Sequence, residues 1–425
     1  MKNSESLKPS LKLPQIIALY IGAVLGSGIL IIPGIAADLS GPASLLSWGM
    51  MAVVMLPMAL TMAFLSAKFP NAGGVSHFVT TAFNPQAGSL VGWYFTMAVV
   101  VGAPVMALTG ASYLCSSLGL NDTHRLLIAV MILISGLLTN YFGMKLTGQI
   151  QVAVVVTIIT LLILTIAGSI PHINSANFTP FMPHGWVSIG STLTILFWCF
   201  IGWEAVSNMS EEFLNPRRDA IYGTIIAAII ISILYFLTAF VIVGTHSYGP
   251  GISDASLVYT IKKSFGVPGA IIAGFAALFI CVAPAIAYIG AVSRMVYSLA
   301  QTGYAPKPLA HLSKKYKTPL GGIIFLSICF SVLLTIFSTR IVSMTTLIQV
   351  PSATFILTYI GGCAAGTRLL KDSAVGIALS IVSLAFSMVI FFFVKWTVLY
   401  PLAITIVWFC FMQIAKMRGK KSHLL

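Results

Sequence analysis

The sequence predicts an all-α polytopic membrane protein with twelve transmembrane helices, and three observations predict it. Hydrophobic residues make up 58% of the 425-residue chain and charged residues only 8%, against about a quarter charged in soluble domains. That balance excludes a soluble enzyme. The apolar residues also fall in long runs: at about 20 per helix, a dozen spans need roughly 240 residues, close to the number available. Finally, the Lys and Arg residues lie in short strips between these runs rather than within them.

Gly, Pro and charge punctuation delimits the elements. A basic tail, 1–13, carries Lys2, Lys8 and Lys12 and leads into a run over 14–37. That run is too long for the apolar stretch of a cleavable signal, about 7 to 15 residues, so the first helix is expected to stay. Spans at 43–66, 88–118, 125–142 and 149–170 complete a first set of five. Between the second and third, residues 68–88 (KFPNAGGVSHFVTTAFNPQAG) are half apolar and rich in turn formers, which predicts a short helix or re-entrant turn at the mouth of the protein. The linker 171–188 has no Lys or Arg and contains Pro171, Pro180 and Pro183, so it should be an extended external connection. A second set follows at 189–210, 220–245, 266–298, 320–338 and 341–366. The runs 88–118 and 266–298 exceed a simple span and must tilt or project. Two further helices, 374–394 and 398–415, occupy 367–415 before a basic tail at 416–425.

Twelve crossings return the chain to its starting side. Eighteen Lys and Arg residues fall on that side and five on the other, so the positive-inside rule predicts cytoplasmic termini in an inner or plasma membrane. The net charge of +14 is therefore spread over membrane-flanking strips. It forms no basic face with interleaved aromatics, and no nucleic-acid partner is expected. The lipid bilayer is the expected partner of Lys314, Lys315 and Lys317, and no obligate protein partner is predicted.

The reactive residue types are too dispersed for other classes of function. Six cysteines sit one per apolar run without CxxC spacing, and seven histidines show no ligand spacing; no metal or other cofactor is expected. His77 is read as a packing or hydrogen-bonding residue. No GxxxxGK[ST] motif is present, so ATP is not the expected energy source. A channel would need repeated rings of polar groups, and a membrane enzyme a base with a nucleophile or metal; neither pattern is present.

Two runs carry interruptions at similar depth. The first contains Gly26, Ser27 and Gly28 followed by Pro33; the sixth reads Phe197-Trp198-Cys199-Phe200-Ile201-Gly202-Trp203-Glu204. Freed backbone groups within a bilayer are tolerated where they line a cavity or meet a ligand. Broken helices in corresponding positions of two halves point to a midplane site in a secondary transporter, with amides facing an anionic group and carbonyls a cation. An amino acid zwitterion offers both charges. Helix packing is the competing reading for the glycines, and lipid or core contact for the aromatics. Glu204 stands apart, because a carboxylate within a span costs a few kcal/mol on insertion scales. It is a functional candidate, with hydrogen bonding to freed backbone as the alternative. Outside the spans, Glu211 and Glu212, beside Arg217 and Arg218, are placed to latch onto the 68–88 segment, against the simpler reading of a solvated turn.

The segments IGAVLGSGILIIPGIAA (21–37), KFPNAGGVSHFV (68–79), FWCFIGWEAVSNMSEEFLNPRRD (197–219) and RMVYSLAQTGYAPKPLAHLSKKYKTP (294–319) resemble the amino acid-polyamine-organocation superfamily. The combination is most similar to its bacterial efflux branch, which exports methionine and branched-chain amino acids. The resemblance implies a five-plus-five inverted repeat of the leucine-transporter fold, 14–170 and 189–366, with helices 1 and 6 broken. It implies a small-molecule amino acid substrate whose carboxylate meets Gly26, Ser27 and Gly28. The ammonium would meet carbonyls of Val24, Trp198 and Ile201 around Gly202. Trp198 would close over the substrate as a gate, Tyr288 would flank the pocket, and Glu204 would respond to protons.

The chain also departs from that pattern. Span 149–170 contains no charge, so the lysine of several proton-coupled relatives is missing. Residues 276–292 contain no Ser or Thr, which argues against a sodium site of the kind found in sodium-coupled members. A proline that usually follows EEFLNPRRD is replaced by Ala220-Ile221, but the turn should survive because Asn215-Pro216 ends the helix. The expected function is export of small apolar L-amino acids (methionine, leucine, isoleucine, valine) by proton antiport, with a facilitative exchanger or uptake permease as the alternative.

Overall fold

The computed structural model describes residues 7–250, 252–253, 256–339, 347, 350–392 and 396–422. Among them the chain is all helical: its nearest approach to a strand is one isolated parallel bridge between Leu11 and Phe213. Nine helical stretches are long and apolar enough to cross a membrane, and two shorter apolar helices accompany them. The molecule is a polytopic α-helical membrane protein.

The first run is two helices, α1 (Leu13–Val24) and α2 (Gly28–Ser40). The α1 start is capped by Gln15, whose side chain accepts from the Lys12 amide at 2.9 Å. α3 (Ser44–Lys68) returns to a short helix, α4 (Gly74–Ala82), the element predicted as a short helix or re-entrant turn. Asn84 accepts from the Ala87 amide and Pro85 occupies the first turn, so α5 (Pro85–Leu118) starts where an N-cap and proline allow it. α6 (Asp122–Tyr141) and α7 (Met144–Ser169) follow.

The linker is less extended than its prolines suggest. Residues Ile170–His172 and Ser175–Phe178 form single 3-10 turns, and α8 begins at Gly185, inside the stretch assigned to the linker. α8 (Gly185–Leu196) ends in a 3-10 turn over Phe197–Phe200, and after Gly202 the α-helix resumes only over α9 (Trp203–Ser207), followed by a 3-10 turn at Ser210–Glu212. The Asn215-Pro216 pair does not end that helix, which stops eight residues earlier. Pro216 instead opens α10 (Pro216–Gly244), because proline suits a first helical turn, where no amide donor is needed.

α11 (Ser256–Gln301) is kinked at Gly266, whose φ of 67° lies in the left-handed region, so the long eighth run is joined at its first residue, through a bend, to the helix that begins at Ser256. α12 (Leu320–Ser338), α13 (Ser352–Leu369), α14 (Ala374–Phe391) and α15 (Leu399–Ser422) complete the chain. Much of the start of the predicted 341–366 span lies outside the described residues.

α11 runs through the centre, packed along α5 and against α1, α6, α7 and α12. Two side-chain amides join it to its neighbours: Asn140 of α6 donates to the Ile286 carbonyl at 2.9 Å, and Gln151 of α7 to the Ala283 carbonyl at 3.1 Å. Both acceptors flank Pro284, whose missing N–H leaves the Ile280 carbonyl, one turn earlier, without its helical donor.

Candidate functional site

The first interruption begins where the Leu25 amide still bonds to Ile21, while Leu25 itself has left helical geometry (φ −80°, ψ 76°). The Gly26 amide turns back to the Val24 carbonyl at 2.9 Å. α2 restarts at Gly28 without a side-chain cap from Ser27. Among the described residues, no acceptor is found for the Ser27 and Gly28 amides. A helix start with unsatisfied amides is a ready-made anion site.

The second interruption faces the first. Gly202 has φ 139°, and a Cβ there would lie 2.8 Å from the Ala23 carbonyl carbon and oxygen, so glycine alone lets the two breaks touch. Gly28 does the same on the other side: a Cβ would meet Cys199 Sγ at 2.7 Å. Tyr235 of α10 pins both breaks, its hydroxyl lying 3.1 Å from the Val24 carbonyl and 2.9 Å from the Cys199 carbonyl. The Val24 carbonyl thus already meets two donors, while that of Ile201 meets none among the described residues.

Glu204 is fully buried. Its Oε2 accepts from the Gly202 amide at 3.0 Å and from the Tyr359 hydroxyl; its Oε1 accepts from the Tyr288 hydroxyl at 3.2 Å. The Gly202 amide also lies 3.1 Å from Tyr359 Oη. The carboxylate therefore ties the second break to α11 and α13 through three donors, which is how a buried charge is made tolerable.

A cavity of about 20 Å³ lies between the breaks, lined by Ala23, Val24, Gly26, Ser27, Gly28, Met106, Trp198, Cys199, Ile201, Tyr288 and Phe355. It is room for about one water. Trp198 and Phe355 meet edge to face at 6.3 Å, and Tyr288 joins Phe355 at 5.7 Å. The wall facing the free amides is thus aromatic and aliphatic, and no charged side chain lines the cavity.

Of the residues singled out in the sequence, Val24, Gly26, Ser27, Gly28, Trp198, Ile201 and Tyr288 line this cavity. Gly202 supports it from behind, and Glu204 reaches it only through Tyr288 and the backbone. Sequence reasoning missed Tyr235, Tyr359, Phe355, Met106 and Gln151. The two tyrosines had a usable signal, since a phenol in the middle of an apolar span needs a polar partner. Met106 and Phe355 had none, being indistinguishable from other apolar residues in their spans.

Polar contacts tie the segments at the two ends of the broken helices to their neighbours. On the α4 side, the Ser10 and Leu11 amides bond to the Glu212 carbonyl at 2.8 and 2.9 Å, and the Leu214 amide to the Leu11 carbonyl at 2.9 Å. The latch to the 68–88 segment is made by Glu211, which accepts from the Ala72 amide at 2.9 Å, and by Ser210, which accepts from the Asn71 amide at 3.2 Å. Arg217 and Arg218 take no part in it, and the solvated-turn reading fails for Glu212. Its carboxylate is buried in an ion pair with Arg294 of α11. Burial also lowers the pKa of His77 on α4, favouring the neutral ring of a packing residue. On the linker side, Asp38 bonds to Ser253, and Ser40 to Thr192 at 2.6 Å.

A sequence profile of the amino acid permease family matches residues 11–417. The chain belongs to this family, within the amino acid-polyamine-organocation superfamily. It is a secondary-transport permease and not an enzyme. The permease is 37% identical over 409 residues to an uncharacterized amino acid permease, YecA, of Bacillus subtilis, covering 96% of each chain. It is 29% identical over 370 residues to the L-methionine/branched-chain amino acid exporter YjeH of Escherichia coli, covering 86% of this chain and 87% of that one. It is 26% identical over 336 residues to the branched-chain amino acid permease BcaP of Bacillus subtilis, covering 74% and 72%.

Proposed function

We propose that the permease moves small apolar L-amino acids, among them methionine, leucine, isoleucine and valine, by alternating access around the two broken helices. The observation that carries this reading is the pairing of the free Ser27 and Gly28 amides with a wholly apolar wall of Met106, Trp198, Cys199 and Phe355. The amides suit a carboxylate, and the Ile201 carbonyl suits the ammonium. The wall offers a cationic or anionic side chain no counter-charge, and burying an unpaired charge is costly. The likeness to a methionine and branched-chain exporter supports the same class.

In this proposal residues 14–170 and 189–366 are the two inverted halves, 171–188 is the external linker, and the two helices of 367–415 lie outside the repeat. Both termini face the cytoplasm, and Trp198 closes over bound substrate. Transport is export by proton antiport: Glu204 takes a proton from the outside and passes its effect to the substrate site through Gly202 and Tyr288, which it already holds. Span 149–170 holds no charged residue and 276–292 no Ser or Thr, whereas the Glu204 carboxylate is tied to the cavity through the Tyr288 hydroxyl. A facilitative exchanger or uptake permease is the second reading, supported by the likeness to a branched-chain permease.

The test is counterflow in proteoliposomes preloaded with unlabelled methionine, with labelled methionine outside and each of the other amino acids as competitor. Competition by leucine, isoleucine and valine but not by arginine or glutamate is expected. Competition by the charged amino acids instead would overturn the substrate assignment.

A further inference from the structure

A second apolar site lies on the outer wall of the bundle, away from the broken helices. A groove of about 400 Å³ is bounded by Trp93 and Met97 of α5, Pro306, Phe325 of α12, and the α15 face bearing Ala403 and Trp408. Polar tethers keep it from collapsing. Tyr94 Oη meets Thr405 Oγ1 at 2.6 Å, Tyr400 donates to the Met97 carbonyl at 3.0 Å, and the Trp408 indole donates to Ser89 Oγ at 3.0 Å. These bonds fix α15 against α5, and two of the tethered residues, Met97 and Trp408, also line the groove. The Trp93 indole donates to the Tyr304 carbonyl at 3.0 Å, so both ring N–H groups at the groove are satisfied within the protein and only carbon is left to line it.

The depth and charge of its rim identify what fills it. Trp93 lies eight residues into α5, about 12 Å from that helix's start at 1.5 Å per residue, so the groove occupies the leaflet next to the 302–319 loop. That loop carries Lys307, Lys314, Lys315 and Lys317 and no carboxylate. Lys307 directly follows the groove residue Pro306, is exposed, and makes no ion pair among the described residues. An apolar slot a few turns deep under a wholly cationic rim is complementary to one kind of molecule in a bilayer: an acyl chain below an anionic headgroup.

We propose that this groove is a binding site for one anionic phospholipid, its acyl chain between α5, α12 and α15 and its phosphate at Lys307. The site is independent of the transported substrate. It staples the terminal helix to the core, where protein contacts alone leave a gap.

Native mass spectrometry of the delipidated full chain, titrated with dioleoyl phosphatidylglycerol or dioleoyl phosphatidylcholine, tests it. The first phosphatidylglycerol should bind about tenfold more tightly than phosphatidylcholine, and Lys307→Gln should weaken it about fivefold, the scale of one interfacial lysine. Ala403→Trp, at an exposed position facing the groove, should weaken binding of both lipids while the variant folds and melts as a normal membrane protein. Equal affinity for the two lipids, or unchanged phosphatidylglycerol binding by Ala403→Trp, would overturn the proposal. So would a dimer that Ala403→Trp disperses, since a second copy would then fill the groove.

Discussion

The Tyr359 hydroxyl donates to the Glu204 carboxylate, and both oxygens sit within 3.1 Å of the Gly202 amide. The backbone of the second break is thereby held by a buried carboxylate that also bonds the cavity-lining Tyr288. A change of charge at Glu204 alters the acceptor of the Gly202 amide directly, and Gly202 rests on Ala23 and Val24 of the first break. Coupling between a proton and both walls of the cavity needs no longer path than this.

Glu204→Gln keeps a carbonyl for the Gly202 amide and removes the charge. The variant is expected to fold and to transport without the wild-type dependence on external pH. Tyr359→Phe deletes one donor to a buried carboxylate, worth about 1.5–3 kcal/mol for a charged hydrogen bond, and should lower the melting temperature as well as the rate. Proteoliposome rates between pH 5 and 8, with thermal melts of both variants, check the pair.

Gly202 and Gly26 should respond oppositely to alanine. At Gly202 the backbone is left-handed and a Cβ falls 2.8 Å from the Ala23 backbone, so Gly202→Ala carries about 1–3 kcal/mol of strain in addition to the clash and should assemble poorly. At Gly26 the nearest atom is Pro284 Cγ at 3.6 Å, an ordinary contact. Gly26→Ala should melt like the parent while KM rises through the narrowed cavity. Expression, melting temperature and KM of the two variants separate a packing role from a substrate role.

Tyr235→Phe should loosen the pairing of the breaks. It leaves the Cys199 carbonyl without its donor and the Val24 carbonyl with only Gly26, at a cost of about 1–3 kcal/mol for a buried unsatisfied group. A lower melting temperature with weaker substrate protection in a thermal-shift assay is the expected outcome.

Arg294 and Glu212 form a buried pair, so removing one partner should cost about 3–5 kcal/mol while replacing both with apolar residues is nearly neutral. Glu212→Leu, Arg294→Met and their double variant make the cycle.

Much of this architecture could be read from the sequence because membrane helices are written in runs: a bilayer tolerates few alternatives to 20 apolar residues. The glycine-bearing interruptions at Gly26–Gly28 and Gly202 stood out for the same reason. Boundaries failed where a local rule had two outcomes. Asn215-Pro216 can end or begin a helix, and the structure uses it to begin α10. The partner of Glu212 was hidden because Arg294 is 82 residues away in sequence, whereas Arg217 and Arg218 are adjacent and point elsewhere. Arg218 instead lies over the Tyr222 ring. Met106 and Phe355 were invisible because an apolar wall carries no signal among apolar residues.

The central claim, that protons exchange for apolar amino acids through Glu204, is tested most directly by efflux of labelled L-methionine from loaded proteoliposomes, at matched pH and with acid outside, for the parent and Glu204→Gln. The account predicts saturable, leucine-sensitive efflux that external acid accelerates in the parent but not in the variant. Efflux that ignores the pH gradient in the parent, or that remains equally acid-driven in Glu204→Gln, would contradict it.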